Sequence, residues 1–201
     1  MIRVLIAEDQ AMVRGALKAL LAMEGDIEIV AEADRADQVL ALALQTKPDV
    51  ALLDIEMPGG DGITVAGELR KELPSCRTLI LTTFGRPGFL RRAMESGVSG
   101  FMLKDAPAHE LALAIRRTMA GERVVDPGLA AAALSAGVSP LSEREREVLV
   151  AGRNGAGIAE IARALFLSEG TVRNYLSSAI QKLEVSNRTE AARVAEELGW
   201  L

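Results

Sequence analysis

Five side chains in the first half of the chain have the types and spacing to do chemistry together. They are Glu8 and Asp9, which follow the apolar run "IRVLIA"; Asp54, which ends "VALLD"; Thr82, within "RTLILTT"; and Lys104, which ends "GFMLK". Each acid alone could cap the helix after it, and Asp9 fits that role as well as any other. If the first and third of these runs lie side by side, the three carboxylates share one crevice. There they repel and raise one another's pKa. A divalent cation removes that cost, and a set of hard oxygen donors suits Mg²⁺.

The elements that must bring these residues together can be read from the pattern. Strand-like runs cover Ile2–Glu8, Ile27–Ala33, Val50–Asp54, Arg77–Thr83 and Gly100–Lys104. Helical patterns fill the intervals at Ala11–Met23, Ala36–Thr46, Gly62–Glu72, Pro87–Ser96 and Pro107–Ala120. Runs almost continuous in Val, Ile and Leu belong to parallel strands covered on both faces. Five such units with right-handed crossovers predict an α/β, doubly wound, five-stranded parallel sheet over residues 1–121. In such sheets ligands collect beyond the carboxyl ends of the strands, where the strand order reverses. The loop "EMPGGDG" after Asp54 leaves room there.

From residue 122 to 138 the alternation decays into "ERVVDPGLAAAALSAGV". This stretch reads as a linker, with a short helix starting near Pro127. Residues 139–201 carry only helical patterns, four of them. Ser142 with Glu145 spells a capping box, and Asn187 with Glu190 offers a similar start for the last helix. Ile158, Ile161, Ala162 and Leu165 form one apolar face; Val172, Leu176, Ala179, Ile180 and Leu183 form another. The turn "FLSEG" joins them, with Ser168 as N-cap.

The totals exclude several classes. The chain has 201 residues, no apolar run long enough to span a bilayer, and Arg3, Glu8 and Asp9 at its start, which spoil a signal peptide. Its single cysteine, Cys76, rules out an internal disulfide and a cysteine-cluster zinc site, and fits a reducing cytoplasm. The net charge of −5 means that any nucleic-acid contact must rest on placed charges. Arg163 to Arg193 supplies them, with five basic residues against three acidic ones.

Residues 1–121 resemble the receiver domain of bacterial response regulators: carboxylate pair, acceptor carboxylate, hydroxyl and lysine follow in order at successive strand ends. The flavodoxin-like strand order 2-1-3-4-5 is what this resemblance implies. It makes Asp54 the phosphoacceptor and gives Mg²⁺ to Asp9, Asp54 and the backbone carbonyl of Glu56, with Glu8 in support. Thr82 and Lys104 then bind the phosphoryl oxygens, and Thr82 with Phe101 forms the switch. An acyl phosphate adds charge and acceptor oxygens that bias a two-state surface.

"LSEREREVL", "IAEIARALFLSEGTVRNYLSSAIQKL" and "NRTEA" resemble the LuxR-type helix-turn-helix, so the whole chain is similar to the NarL/FixJ family. The resemblance implies a recognition helix presenting Thr171, Arg173, Asn174 and Ser177 to double-stranded promoter DNA. Ser168, Lys182 and Arg188 are the phosphate contacts. Arg suits guanine and Asn suits adenine in the major groove. "GRNGAGIAEIA" departs from the family's more polar segment. "LTTFGRPGFLRRAMESGVSGFMLKD" resembles a DesR-like subgroup, which implies a membrane-bound sensor histidine kinase as phosphodonor. The other partners implied are a second copy of the chain after phosphorylation and RNA polymerase; His109 reads as a surface residue.

The chemistry expected is the domain's own phosphotransfer and autodephosphorylation, not turnover of an outside substrate. Two other classes compete with this reading. An aspartyl-phosphate phosphatase uses a similar sheet but carries its nucleophile in a D-x-D run after the first strand, where this chain has "AEDQA". An atypical receiver gated by a ligand or partner has no need of a complete acidic pocket.

Overall fold

A computed structural model describes residues 1–83, 87–135 and 139–201. Phe84, Gly85 and Arg86, part of the DesR-like stretch, lie outside the described residues, as does the end of the expected linker at 136–138. The described residues form two compact units, one of residues 1–83 and 90–130, which carries the sheet, and one of residues 87–89, 131–135 and 139–201.

Over residues 1–125 the strands of the main sheet are β1 Ile2–Ala7, β2 Ile27–Ala33, β3 Val50–Asp54, β4 Arg77–Thr82, β5 Gly100–Leu103 and β6 Val124–Val125. The helices are α1 Ala11–Ala22, α2 Ala36–Thr46, α3 Gly62–Glu72, α4 Pro87–Ser96 and α5 Ala108–Met119. The sheet runs β2-β1-β3-β4-β5-β6, parallel throughout. The expected order is therefore present, with one correction: the sheet has six strands, not five. Val124 and Val125 pair with Gly100 and Phe101 at the edge. Two valines are too short a run to register as a strand by periodicity; here pairing with an existing edge supplies the order.

The sheet is covered on both faces, as its continuous apolar strands require. Val4, Ile6, Val50, Leu52, Leu79, Leu81 and Met102 share a cluster with Leu21 of α1 and Leu111 and Ile115 of α5. The alternate residues Leu5, Ala51, Leu53, Ile80 and Phe101 are also buried, and the period of two turns them to the other face.

The stretch expected as a linker is ordered over most of its length. After β6, Asp126 accepts a hydrogen bond from the Leu129 amide at 2.9 Å and starts α6, Pro127–Ser135. Pro127 at the first helical position loses no hydrogen bond there.

The second unit holds the four expected helices: α7 Glu143–Gly152, α8 Ile158–Ala164, α9 Glu169–Lys182 and α10 Arg188–Glu197. The Ser142 and Glu145 capping box forms in both directions, and Ser168 caps α9 by accepting from Thr171. The two apolar faces read from the sequence meet in one core with Leu141, Val148, Leu149, Ala191 and Ala195.

Candidate functional site

Parallel register places the site residues at neighbouring strand ends. Ala7 of β1 pairs with Leu53 of β3, Asp54 with Leu81 of β4, and Thr82 with Leu103 of β5. Glu8 and Lys104 follow β1 and β5 directly, and the Lys104 amide donates to the Thr82 carbonyl at 2.8 Å. Glu8, Asp54 and Thr82 are buried, whereas Asp9 is exposed.

Glu8, Asp9 and Asp54 each offer one carboxylate oxygen, and these oxygens lie within 4.8 Å of one another. Asp9 is not the helix cap: α1 is capped by Gln10 without a side-chain hydrogen bond. Lys104 Nζ lies 2.6 Å from Glu8 Oε2 and 2.9 Å from Asp54 Oδ2. At these distances the one ammonium is shared by two carboxylates as an ion pair with each. The other Asp54 oxygen, Oδ1, accepts from the Ile55 amide at 2.8 Å. Burial pushes the Glu8 carboxyl up, as does the Asp54 charge, and Lys104 only partly offsets them. Burial opposes the Lys104 charge, but Asp54 and Glu8 outweigh it and hold the ammonium above its ordinary value.

The loop after Asp54 is built by its backbone. Glu56–Met57 and Gly60–Asp61 form a two-residue antiparallel ladder, with Gly59 at φ +83° in the turn, a conformation open to glycine. The Pro58 carbonyl accepts from the Ala36 amide and ties the loop to α2. A Cβ at Gly62 would stand 1.9 Å from the Asp54 carbonyl oxygen, so α3 starts this close to the site only because residue 62 has no side chain. Phe101 is fully buried. His109 is exposed, as expected.

In the second unit, Glu169, Arg173, Asn174, Ser177 and Gln181 are exposed along α9, and Thr171 is half-buried. Several expected contact residues already have partners. The Ser168 hydroxyl accepts from the Thr171 amide at 3.1 Å, and Arg173 Nη2 donates to Glu169 at 2.7 Å. Arg188 donates to the Ala156 carbonyl at 2.9 Å. Lys182 pairs at 2.7 Å with Glu145, a buried acid that also accepts from Ser178 at 2.6 Å.

By sequence Glu145 is only the capping partner of Ser142; its second role appears once α7 packs on α9. Burial pushes its carboxyl up, but Lys182, Ser178 and Ser142 outweigh that and hold it at about 2.

The chain matches two family descriptions: the response regulator receiver domain over residues 4–116, and bacterial regulatory proteins of the luxR family over residues 139–195. It is 45% identical over 200 residues to the transcriptional regulatory protein DesR of Bacillus subtilis, covering 100% of this chain and 99% of that one. It is 35% identical to the DNA-binding transcriptional activator DevR/DosR of Mycobacterium tuberculosis, covering 98% and 95%. Among solved structures, RcsB dimers bound to two parallel DNAs match with a TM-score of 0.71 at 25% identity, covering 97% and 98%. The response regulator ChrA of a heme-sensing two-component system matches at 0.60 and 35%, covering 100% and 98%. The chain belongs to the NarL/FixJ family of response regulators, a receiver domain joined to a luxR-type helix-turn-helix domain, and regulates transcription.

Proposed function

We propose that Asp54 accepts a phosphoryl group from a histidine kinase and that the added charge controls dimerisation and promoter binding. The observation that carries this reading is Asp54 beside Glu8 and Asp9, with Lys104 between two of the carboxylates. The acids outnumber the one facing ammonium, and all their donor atoms are oxygens, so the set fits Mg²⁺. Asp9, Asp54 and the Glu56 carbonyl would hold the ion, with Glu8 in support, and the ion's chemistry there is to neutralise charge between carboxylate and phosphoryl group.

The chain's own residues do the rest. Oδ2 of Asp54 attacks phosphorus in line while the P–N bond to the donor imidazole breaks and its electron pair leaves with the donor. Lys104 moves from the carboxylates to the phosphoryl oxygens, which carry more charge than the acid it leaves. The Thr82 hydroxyl, on the adjacent strand end, donates to the same oxygens. Phe101, buried on β5 beside β4, forms the switch with Thr82 beneath the surface that responds.

At the other end, Arg173, Asn174 and Ser177 read base edges in the major groove, with Thr171 close by. Ser168, Lys182 and Arg188 lie where backbone phosphates pass. Ser168 and Lys182 then add these contacts to the internal partners they already have. The RcsB dimers on DNA support a dimer of this chain on a two-part site. The kinase is membrane-bound and this chain acts in the cytoplasm, without entering the membrane; among the described residues no helix is long and apolar enough to cross one.

Labelling with a small phosphodonor, followed by a footprint on genomic DNA, tests the reading. A footprint that strengthens with phosphodonor and loses that response in Asp54→Asn supports it. A response that survives Asp54→Asn favours gating by a ligand instead, and sustained phosphomonoester turnover favours a phosphatase.

A further inference from the structure

On α9, Arg173 Nη2 donates to Glu169 Oε2 at 2.7 Å, one helical turn earlier. Both side chains are more than half or about half exposed, at 57% and 50%, so the fold does not need the pair. Glu169 is the acid of the first turn, where the helix dipole favours a negative charge. The bond occupies one edge of the guanidinium. A guanidinium carries five donors in a fixed fork, and Nη2 keeps a second hydrogen that with its neighbour Nη1 or Nε still makes a two-point contact elsewhere. Two neighbouring cations already have partners within the domain, Lys182 in Glu145 and Arg188 in the Ala156 carbonyl. On the exposed stripe of Arg173, Asn174, Ser177 and Gln181, Arg173 is thus the one cation, and Glu169 cancels its charge.

We infer that Glu169 is a specificity-determining residue that buttresses Arg173 for base reading and withholds its charge from sequence-independent phosphate attraction. This rests on the reading that α9 contacts DNA. A neutralised arginine releases no counterion on random duplex, so non-specific binding gains nothing from it. A buttressed fork still meets a guanine edge at two points. Without the carboxylate, Arg173 becomes a mobile positive charge that serves any phosphate.

The test uses the full chain treated with a small phosphodonor and two duplexes, one enriched from a random pool by the wild-type protein and one unselected. Glu169→Gln is expected to tighten binding to the unselected duplex and to steepen its log–log salt slope by about 0.9. The preference for the enriched duplex should fall about tenfold. Glu169→Asp keeps the charge on a shorter arm, so it should keep the salt slope and lose preference. In an Arg173→Ala background, Glu169→Gln should leave the remaining preference unchanged. Trp200 fluorescence checks that each variant is folded. An unaltered preference in Glu169→Gln, or an equal loss with and without Arg173, overturns the inference alone. Failure of the wild-type protein to enrich any sequence overturns the DNA reading and the inference with it.

Discussion

Lys104 Nζ stands 2.9 Å from Asp54 Oδ2, and the lysine is reached from β5 while the aspartate ends β3, two strands away. The sheet itself therefore sets the distance between the charge that waits and the acid expected to react. Replacing Lys104 with Met removes the positive charge from the place where phosphoryl oxygens gather. Labelling at Asp54 by a small phosphodonor should slow by about a hundredfold. Initial rates from gels that retard phosphoprotein measure it, and a rate within a few-fold of wild type contradicts the role given to Lys104.

Two glycines of α3 make opposite predictions. A methyl at Gly62 meets the Asp54 carbonyl oxygen at 1.9 Å, so Gly62→Ala must move either the helix start or the site. It should cost about 1–3 kcal/mol of stability and slow labelling as well. Gly67 has nothing within 4 Å of the added carbon, so Gly67→Ala should stabilise by about 0.5–1 kcal/mol through helix propensity alone. Thermal midpoints of the two variants check both signs.

Glu145 gives the second unit a defined acid limit. Its carboxyl is held at about 2 against an ordinary 4.5, so the folded form binds the proton more weakly than the unfolded chain. The stabilisation is complete above pH 4.5 and is lost as pH falls toward 2. Lys182 keeps partial exposure, and solvent screening trims its share. Glu145→Gln should cost about 1–3 kcal/mol at neutral pH and flatten the acid limb of stability. Trp200, the only tryptophan and packed against this core, reports the transition by fluorescence. Parallel pH profiles of wild type and variant would count against Glu145 as the titrating group.

Arg173→Ala should cost about 1–3 kcal/mol on the preferred duplex and much less on unselected DNA. Equal losses on both would mean that Arg173 touches only phosphate.

The parts legible in the sequence share a property. Strand ends, most caps and apolar faces are local, and the pattern places them closely, with β1, β4 and β5 each ending one residue earlier than expected, at Ala7, Thr82 and Leu103. Ala36–Thr46, Gly62–Glu72 and Pro87–Ser96 appear with the expected bounds, and Ser142 and Ser168 cap as read. The meeting of Glu8, Asp54 and Lys104 was legible too, because a parallel sheet of known order converts strand ends into neighbours. What was not legible depends on pairing across distance. Val124–Val125 is a strand only because β5 has a free edge, and Glu145 reaches Ser178 and Lys182 only after two helices pack. The carboxylate partner of Arg173 lay one turn away in the sequence, and helical spacing alone would have pointed to it.

The most direct measurement is the intact mass of the full chain after a small phosphodonor, with and without Mg²⁺. The phosphoacceptor role of Asp54 requires a gain of one phosphoryl group that needs the metal, maps to Asp54, is cleaved by base and vanishes in Asp54→Asn. A protein that gains no phosphoryl group under these conditions, or gains it equally in Asp54→Asn, contradicts it.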